Sequence, residues 1–563
     1  MNADLPVALM LMVGGALLPL LRGRLRAVCL LLLPVAAFVW LLLVPSGEHA
    51  RFELLGYTLT LMRVDRLSLL FGYVFMIALF LNVIFSLHVR DTAQQVTGVV
   101  YAGAALGAVF AGDLLTLFVY WELTALSSVV LVWAGGTERS YRAGMRYVLI
   151  HVGSGMLLLA GTVVHVAQGG TLEFGKFALD SPGSYLILAA IGVKCSFPLL
   201  HNWLQDAYPE ATATGMVVLS AFTTKLGIYA LARGFPGTEL LVWIGTAMTL
   251  FPIFYAVIEN DLRRVLAYSI TNQLGFMVVG IGIGTEMALN GAVAHAFADI
   301  LFKALLLMSM GAVLMRTGTV KGSELGGLYK SMPWTAGFCM VGAASISAFP
   351  LFSGFVTKSM IMAGVAGEGH VWIWLMLLFA SAGVLEHAGI KIPYFAFFAH
   401  DSGIRCKEAP LNMLVAMAAA SALCIGIGIF PSTLYVLLPY AVDYVPYTAS
   451  HVLMQMQLLV FAVLGVFFLM RSGLYPPEIK SVNLDFDWIY RRLVPVLMGA
   501  IGSMYLALRS AMRSRVEPAF RRFTQRLLAL HQSEGLFARN WTTGGAALWM
   551  MVLLLGYLLV YLL

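Results

Sequence analysis

Apolar runs of roughly 20 residues, the length a helix needs to cross a bilayer, recur along the whole chain between short polar or basic turns. They fall near 5–21, 27–44, 63–87, 97–112, 114–134, 144–166, 184–200, 213–233, 239–258, 265–284, 288–315, 335–366, 371–398, 411–430, 452–470 and 543–563. The pattern predicts an all-α polytopic membrane protein with about 15–16 transmembrane helices. The first run is expected to be a span and not a signal peptide, because its basic cluster (Arg22, Arg24, Arg26) follows it.

Two interruptions and a charge asymmetry refine this picture. Pro198 follows Lys194, and the run 335–366 holds Pro350, Ser353 and Gly354 ahead of Lys358, so broken helices are expected near Pro198 and Pro350. Such breaks are tolerated at membrane depth only where protein or a wet cavity satisfies the freed backbone. The arginines at 22, 24 and 26 place the first loop in the cytoplasm. Alternation then puts Arg139, Arg142 and Arg146 inside, followed by Arg263 and Arg264, then Arg316, Lys321 and Lys330. Residues 471–490 are polar, and 491–531 mix apolar residues with six arginines from Arg509 to Arg526. A span at 493–508 would leave that basic run outside. The expected element is therefore a lateral amphipathic helix at the cytoplasmic interface, with a short extra span as the alternative.

Composition supports the membrane class: of 563 residues, 60% are hydrophobic and 11% charged. The net charge of +7 needs no nucleic acid, since basic cytoplasmic loops give the same balance. Five scattered cysteines never form CxxC, which argues against a structural zinc, an iron–sulfur cluster or a disulfide framework. Gly170 to Lys176 imitates a phosphate loop, but Phe177 stands where Ser or Thr belongs and no strand is expected before it. Without a dinucleotide fingerprint either, no cofactor or metal is expected. Redox chemistry would sit on another chain.

The candidate chemistry lies inside the apolar runs. Glu122, Lys194, Lys225, Lys303 and Lys358 are ionisable residues where a charge is expensive, and such a series reads as a proton relay. His295 lies two helical turns before Lys303 on the same face and suits a proton carrier. A packed, hydrogen-bonded histidine is its bland alternative. Asp299, four residues on, is expected to partner Lys303 or bind a cation. Glu386 and Lys391 are second-rank candidates that sit deep in their run. Asp113, Asp206 and Asp261 fall at span ends, where helix-terminus or solvent roles are expected.

The segments "GDLLTLFVYWELTALSSVVLVW" (112–133), "KCSFPLLHNWLQDAYPEATATGMVVLSAFTTKLGIYALAR" (194–233), "DLRRVLAYSITNQLGF" (261–276), "HAFADILFKALLLM" (295–308) and "GGLYKSMPWTAGFCMVGAASISAFPLFSGFVTKSMI" (326–361) carry a resemblance. They resemble the antiporter-like subunits of respiratory complex I, of membrane-bound hydrogenases and of Mrp-type Na+/H+ antiporters, in order over roughly 65–450. The resemblance implies two inverted five-helix repeats. It makes Glu122 the family's glutamate of the Trp-Glu-Leu pattern and Lys194 the lysine that pairs with it, with a static ion pair as the alternative. Lys225, 31 residues after Lys194, becomes the middle relay, as in the D, M and N types; Leu219 stands where the L type has histidine. Lys303 and Lys358 match the lysines of "HAxFKALLF" and "GFFSK". Asp299 replaces a histidine often found there.

The expected divisions are 1–96 (N-terminal helices), 97–258 (first repeat), 259–400 (second repeat), 401–490 (C-terminal helices and polar loop) and 491–563 (basic helix and final span). The resemblance implies a proton-translocating subunit of a multisubunit cation (Na+)/H+ antiporter, closest to the D type of the Mrp complexes. It would be a transporter subunit and not an enzyme by itself. The alternatives are the proton-pumping arm of an NADH–quinone oxidoreductase or membrane hydrogenase, and a partner in inorganic-carbon uptake. A scaffold with a dead channel is disfavoured, since every relay position remains ionisable. Implied partners are other membrane subunits, protons, sodium and the lipid of a bacterial inner membrane, with no nucleic acid.

Overall fold

The apolar runs fold as helices, and a hairpin separates the second from the third. A computed structural model describes residues 5–54, 56–479, 483–532, 535 and 542–562. In chain order it contains α1 (Val7–Leu17), α2 (Gly23–Leu43), β1 (Gly47–Leu54), β2 (Tyr57–Val64), α3 (Arg66–Ser86), α4 (Thr92–Phe110), α5 (Leu114–Trp133), α6 (Glu138–Ala167), α7 (Pro182–Lys194), α8 (Asn202–Ala207), α9 (Gly215–Gly234) and α10 (Glu239–Ile258). There follow α11 (Leu262–Ile283), α12 (Glu286–Thr317), α13 (Pro333–Ile346), α14 (Ser353–Gly367), α15 (Val371–Val384), α16 (Lys391–Pro393), α17 (Leu411–Ile429), α18 (Ser432–Tyr435), α19 (Ala449–Arg471), α20 (Val494–His531) and α21 (Thr543–Leu562). Wider π turns, Leu385–Ile390 and Tyr394–Phe398, flank α16. Among the described residues, 14 helices are long and apolar enough to cross a membrane. The protein is a multi-pass membrane protein with an all-helical membrane part.

The antiparallel hairpin, with Gly47 opposite Val64 and Leu54 opposite Tyr57, is absent from the sequence reading. Its second strand packs on the bundle through buried Leu59, Met62 and Val64, whereas most of the first strand is exposed. Asp113 joins the hairpin to α5: its carboxylate accepts from Thr60 N (2.8 Å) and caps the helix at Thr116 N (2.7 Å).

The two breaks have the same construction. After α7, Ser196 and Leu199 take left-handed φ values of 58° and 71°; after α13, Ala348 and Leu351 take 57° and 73°. Each pair brackets the expected proline, which cannot donate to a helix and disfavours helical backbone in the residue before it. Non-glycine residues in this region each cost about 1 kcal/mol or more, so surrounding structure holds the breaks. Freed carbonyls find partners: Trp203 Nε1 donates to Val193 O (2.9 Å) and Lys358 Nζ to Ile346 O (3.3 Å). A second matched feature lies at the helix starts. Asp113 caps α5 and bridges to Glu173, while Asp261 caps α11 and bridges to Lys321.

Helices α9, α11 and α12 are buried along almost their whole length and form the centre of the bundle. Between α10 and α11 the backbones touch, because a Cβ on Gly275 would meet Thr249 N at 2.6 Å and Gly245 O at 2.7 Å. One end of the bundle gathers Arg139 with Glu210 (2.6 Å), Arg146 with Asp206 (2.6 Å) and Arg264 with Glu259 (3.9 Å). These are the loops the basic-residue count assigns to the cytoplasm.

The chain divides into two compact units, Met1–Asn483 and Leu484–Leu563. The second holds α20, a continuous 38-residue helix with Pro518 inside it, and α21. At 1.5 Å per residue α20 is about 57 Å long.

Candidate functional site

Lys194 is the last residue of α7, where the break turns its side chain toward α5. Its ammonium is fully buried and donates to Thr124 Oγ1 (2.6 Å) and Trp121 O (3.1 Å), with Nζ 4.5 Å from the Trp121 ring centre. Trp121 is itself fixed by Nε1 donating to Ser154 Oγ (3.0 Å), which donates to Ala190 O (2.8 Å). Glu122, on the same turn of α5, is half-buried, and its Oε1 has no hydrogen-bond partner. That oxygen occupies the space above Gly155, where any Cβ would collide with it. The expected direct Glu122–Lys194 contact is thus not closed in this arrangement. The lysine hydrogen-bonds to neutral acceptors instead.

In the centre, Lys225 of α9 and Asp299 of α12 are wholly buried with Nζ and Oδ2 2.8 Å apart. The Asp299 oxygens lack a properly aligned hydrogen bond, so the contact is one of charge, while Lys225 Nζ also donates to Ser220 O (3.2 Å). This corrects the expectation that Asp299 partners Lys303. The reason is tertiary: α9 packs on the aspartate's face of α12, whereas Lys303 turns to α11 and donates to Ser269 Oγ (2.8 Å).

His295 faces Gln273 Oε1 through Nε2 (3.0 Å) and Thr357 Oγ1 through Nδ1 (3.0 Å). The Gln273 amide is oriented by its donation to Asn272 Oδ1 (2.7 Å), and the Thr357 hydroxyl reaches Ser353 O (3.0 Å). An imidazolium satisfies all of these at once, donating from both nitrogens while Thr357 donates to Ser353. A neutral ring protonated at Nε2 requires the Thr357 hydroxyl to rotate and donate to Nδ1. One hydroxyl rotation therefore accommodates either state. Lys358, adjacent to Thr357, lies with Nζ 4.7 Å from the Phe276 ring centre and borders a cavity of about 640 Å³ lined partly by Ser359, Tyr444, His451 and Gln455.

Residues 111–384 match the family model described as NADH:quinone oxidoreductase/Mrp antiporter, TM. The match runs through the membrane core and takes in just under half of the chain. The chain is 32% identical over 286 residues to the D-type subunit of the Na+/H+ antiporter of Alkalihalophilus pseudofirmus, covering 47% of this chain and 58% of that protein. It is 32% identical over 315 residues to the N-type subunit of the NADH-quinone oxidoreductase of Desulforudis audaxviator, covering 51% and 62%. The chain thus spans roughly three fifths of the relatives it matches. A protein in the structure of the Mrp complex from Dietzia sp. DQ12-45-1b shares the fold, with a TM-score of 0.69 at 21% identity over 77% of this chain and 95% of that one.

The matched region contains Glu122, Lys194, Lys225, His295, Asp299, Lys303 and Lys358, and stops short of Glu386 and Lys391. Those two fall in the π turns and α16, where they meet a segment from beyond α19. Glu386 Oε1 accepts from Tyr475 OH (2.7 Å), and Lys391 Nζ reaches Glu478 Oε1 (2.8 Å) and Val257 O (2.6 Å). Sequence reasoning passed over Glu478 because it lies in a polar tail. It also missed His151 of α6, which is fully buried against Tyr147 and Trp203, each ring centre 4.3 Å away, with neither nitrogen hydrogen-bonded. A lone histidine four residues after a tyrosine in an apolar run was the available signal. The three aspartates at span ends act at helix termini or on arginine: Asp113 and Asp261 cap α5 and α11, and Asp206 holds Arg146.

Proposed function

We propose that this protein is the proton-translocating subunit of a multisubunit cation/proton antiporter in a bacterial inner membrane, with sodium as the exchanged cation. The observation that carries the reading is the wholly buried Lys225–Asp299 pair, with Lys194 on one side and His295, Lys303 and Lys358 on the other, each lysine held by few, breakable partners. Burial makes the charged form of each conditional on its partner, which a relay requires. Glu122 and Lys194 would open one half, Lys225 and Asp299 would bridge, and His295, Lys303 and Lys358 would lead out.

The matched breaks and capped starts support five-helix repeats of 92–234 and 239–398, which moves α10 from the first repeat to the second. The kinship with the N-type oxidoreductase protein supports a second reading, the membrane arm of an NADH–quinone oxidoreductase, in which electron transfer elsewhere drives the same path. Everted vesicles carrying the whole complex should reverse a proton gradient, read by a pH-sensitive dye, when sodium is added. The chain expressed alone should give no response. Exchange by the purified single chain would overturn the subunit reading, and co-purification with NADH-oxidising proteins would select the second.

Helix α20 is read as lying along the cytoplasmic interface, its arginines toward anionic headgroups. A cysteine at Ser514 should then label from the cytoplasmic side with a membrane-impermeant reagent. Labelling from the outer side only would mean that 493–508 crosses the membrane.

A further inference from the structure

The two ionisable residues beyond the matched region share a cover. After α19, Gly473 takes a left-handed φ of 72° and turns the chain back across the π turns around α16. Of the next residues, Leu474 and Ile479 are exposed, and Tyr475, Pro476 and Glu478 are half-buried. Tyr475 donates its hydroxyl to Glu386, and Glu478 meets Lys391, whose side chain is 0% exposed. The cover lies against the bundle end that holds Arg264. Gly322 stands beside Glu478, and a Cβ there would meet its Oε2 at 3.5 Å; Asn483 Nδ2 donates to Glu259 Oε2 (3.3 Å).

We propose that residues 472–479 form a hinged gate over Lys391 and Glu386 on the cytoplasmic side of the bundle, with Glu478 as the charge that locks it. Three features support a gate over a fixed strut. The segment is held by one hydroxyl, one carboxylate and the stacking of the Tyr475 ring on Phe395, while Leu474 and Ile479 stay exposed, so opening exposes little that water disfavours. What it covers is a buried ammonium and a carboxylate whose Oε2 is buried without a partner. Such groups gain most when water reaches them. The covered backbone is π-helical, with the wide turns that often mark functional sites. Closed, Glu478 stabilises the charged lysine. Open, the lysine loses its counter-ion and meets water.

This rests on the proton-path reading only for what the gate controls; the gate itself can be measured without transport. Hydrogen–deuterium exchange on the assembled complex in nanodiscs reads it directly. In the wild type, peptides covering 385–398 and 472–479 should exchange together and faster than α11 and α12. Glu478→Gln should speed exchange of 385–398 by about tenfold or more, with α11 and α12 unchanged. The charge swap Lys391→Glu with Glu478→Lys should restore protection. Unchanged exchange in the Gln variant, a swap that stays unprotected, or loosening that spreads to α11 and α12 would each overturn the gate.

Discussion

Replacing Lys194 by alanine should reduce proton-coupled transport by the assembled complex to background while the chain remains folded and inserted. The fold tolerates the loss because the lysine's acceptors do not depend on it: Trp121 O also receives the Thr124 hydroxyl at 2.7 Å. Transport does not tolerate it, because no other buried lysine lies between α5 and the break after α7 among the described residues. Lys194→Arg is the sharper variant. A guanidinium keeps its proton at any accessible pH and needs a flat, forked acceptor set, whereas here one hydroxyl and one carbonyl serve a compact ammonium. The expected loss is at least about a hundredfold in the initial rate of dye recovery in vesicles, the scale of removing a group that must take and give a proton. A full rate in the arginine variant would leave Lys194 a fixed charge and remove it from the path. Glu122→Gln should also impair transport, since that carboxylate is the nearest charge available to the lysine when α5 and α7 shift.

Much of this was legible in the sequence because it depends on local chemistry. Run lengths set the helices, Pro198 and Pro350 set the breaks, and single charges in apolar runs marked Lys194, Lys225, Lys303 and Lys358. Choice of partner was not legible, because the packing of one helix on another decides it. Spacing along α12 puts Asp299 one turn from Lys303 and so suggested that pair, but α9 brings Lys225 to the aspartate and α11 brings Ser269 to the lysine. The same limit hid Glu478, whose polar neighbourhood reads as a solvated tail until it is seen against Lys391. The hairpin at 47–64 was missed because its weak alternation runs straight into the apolar run of α3.

The central pair separates transport from stability. Asp299→Ala leaves the Lys225 ammonium in a site with 0% exposure and, among the described residues, only Ser220 O to accept from it. Breaking a buried pair from one side typically costs about 3–5 kcal/mol. The variant should therefore assemble poorly and melt at a lower temperature. Removing both charges with groups of similar volume, Lys225→Met together with Asp299→Leu, takes away the desolvation penalty along with the attraction, so thermal stability should return to within about 1 kcal/mol of the wild type. Transport should not return. The double variant would insert an apolar plug between Lys194 and Lys303, and a proton would have no titratable group to occupy midway. If the double variant both melts and transports like the wild type, the pair is a packing device and the path runs elsewhere. If it melts like the wild type and transports at background, the lysine and aspartate serve as the middle station of the path.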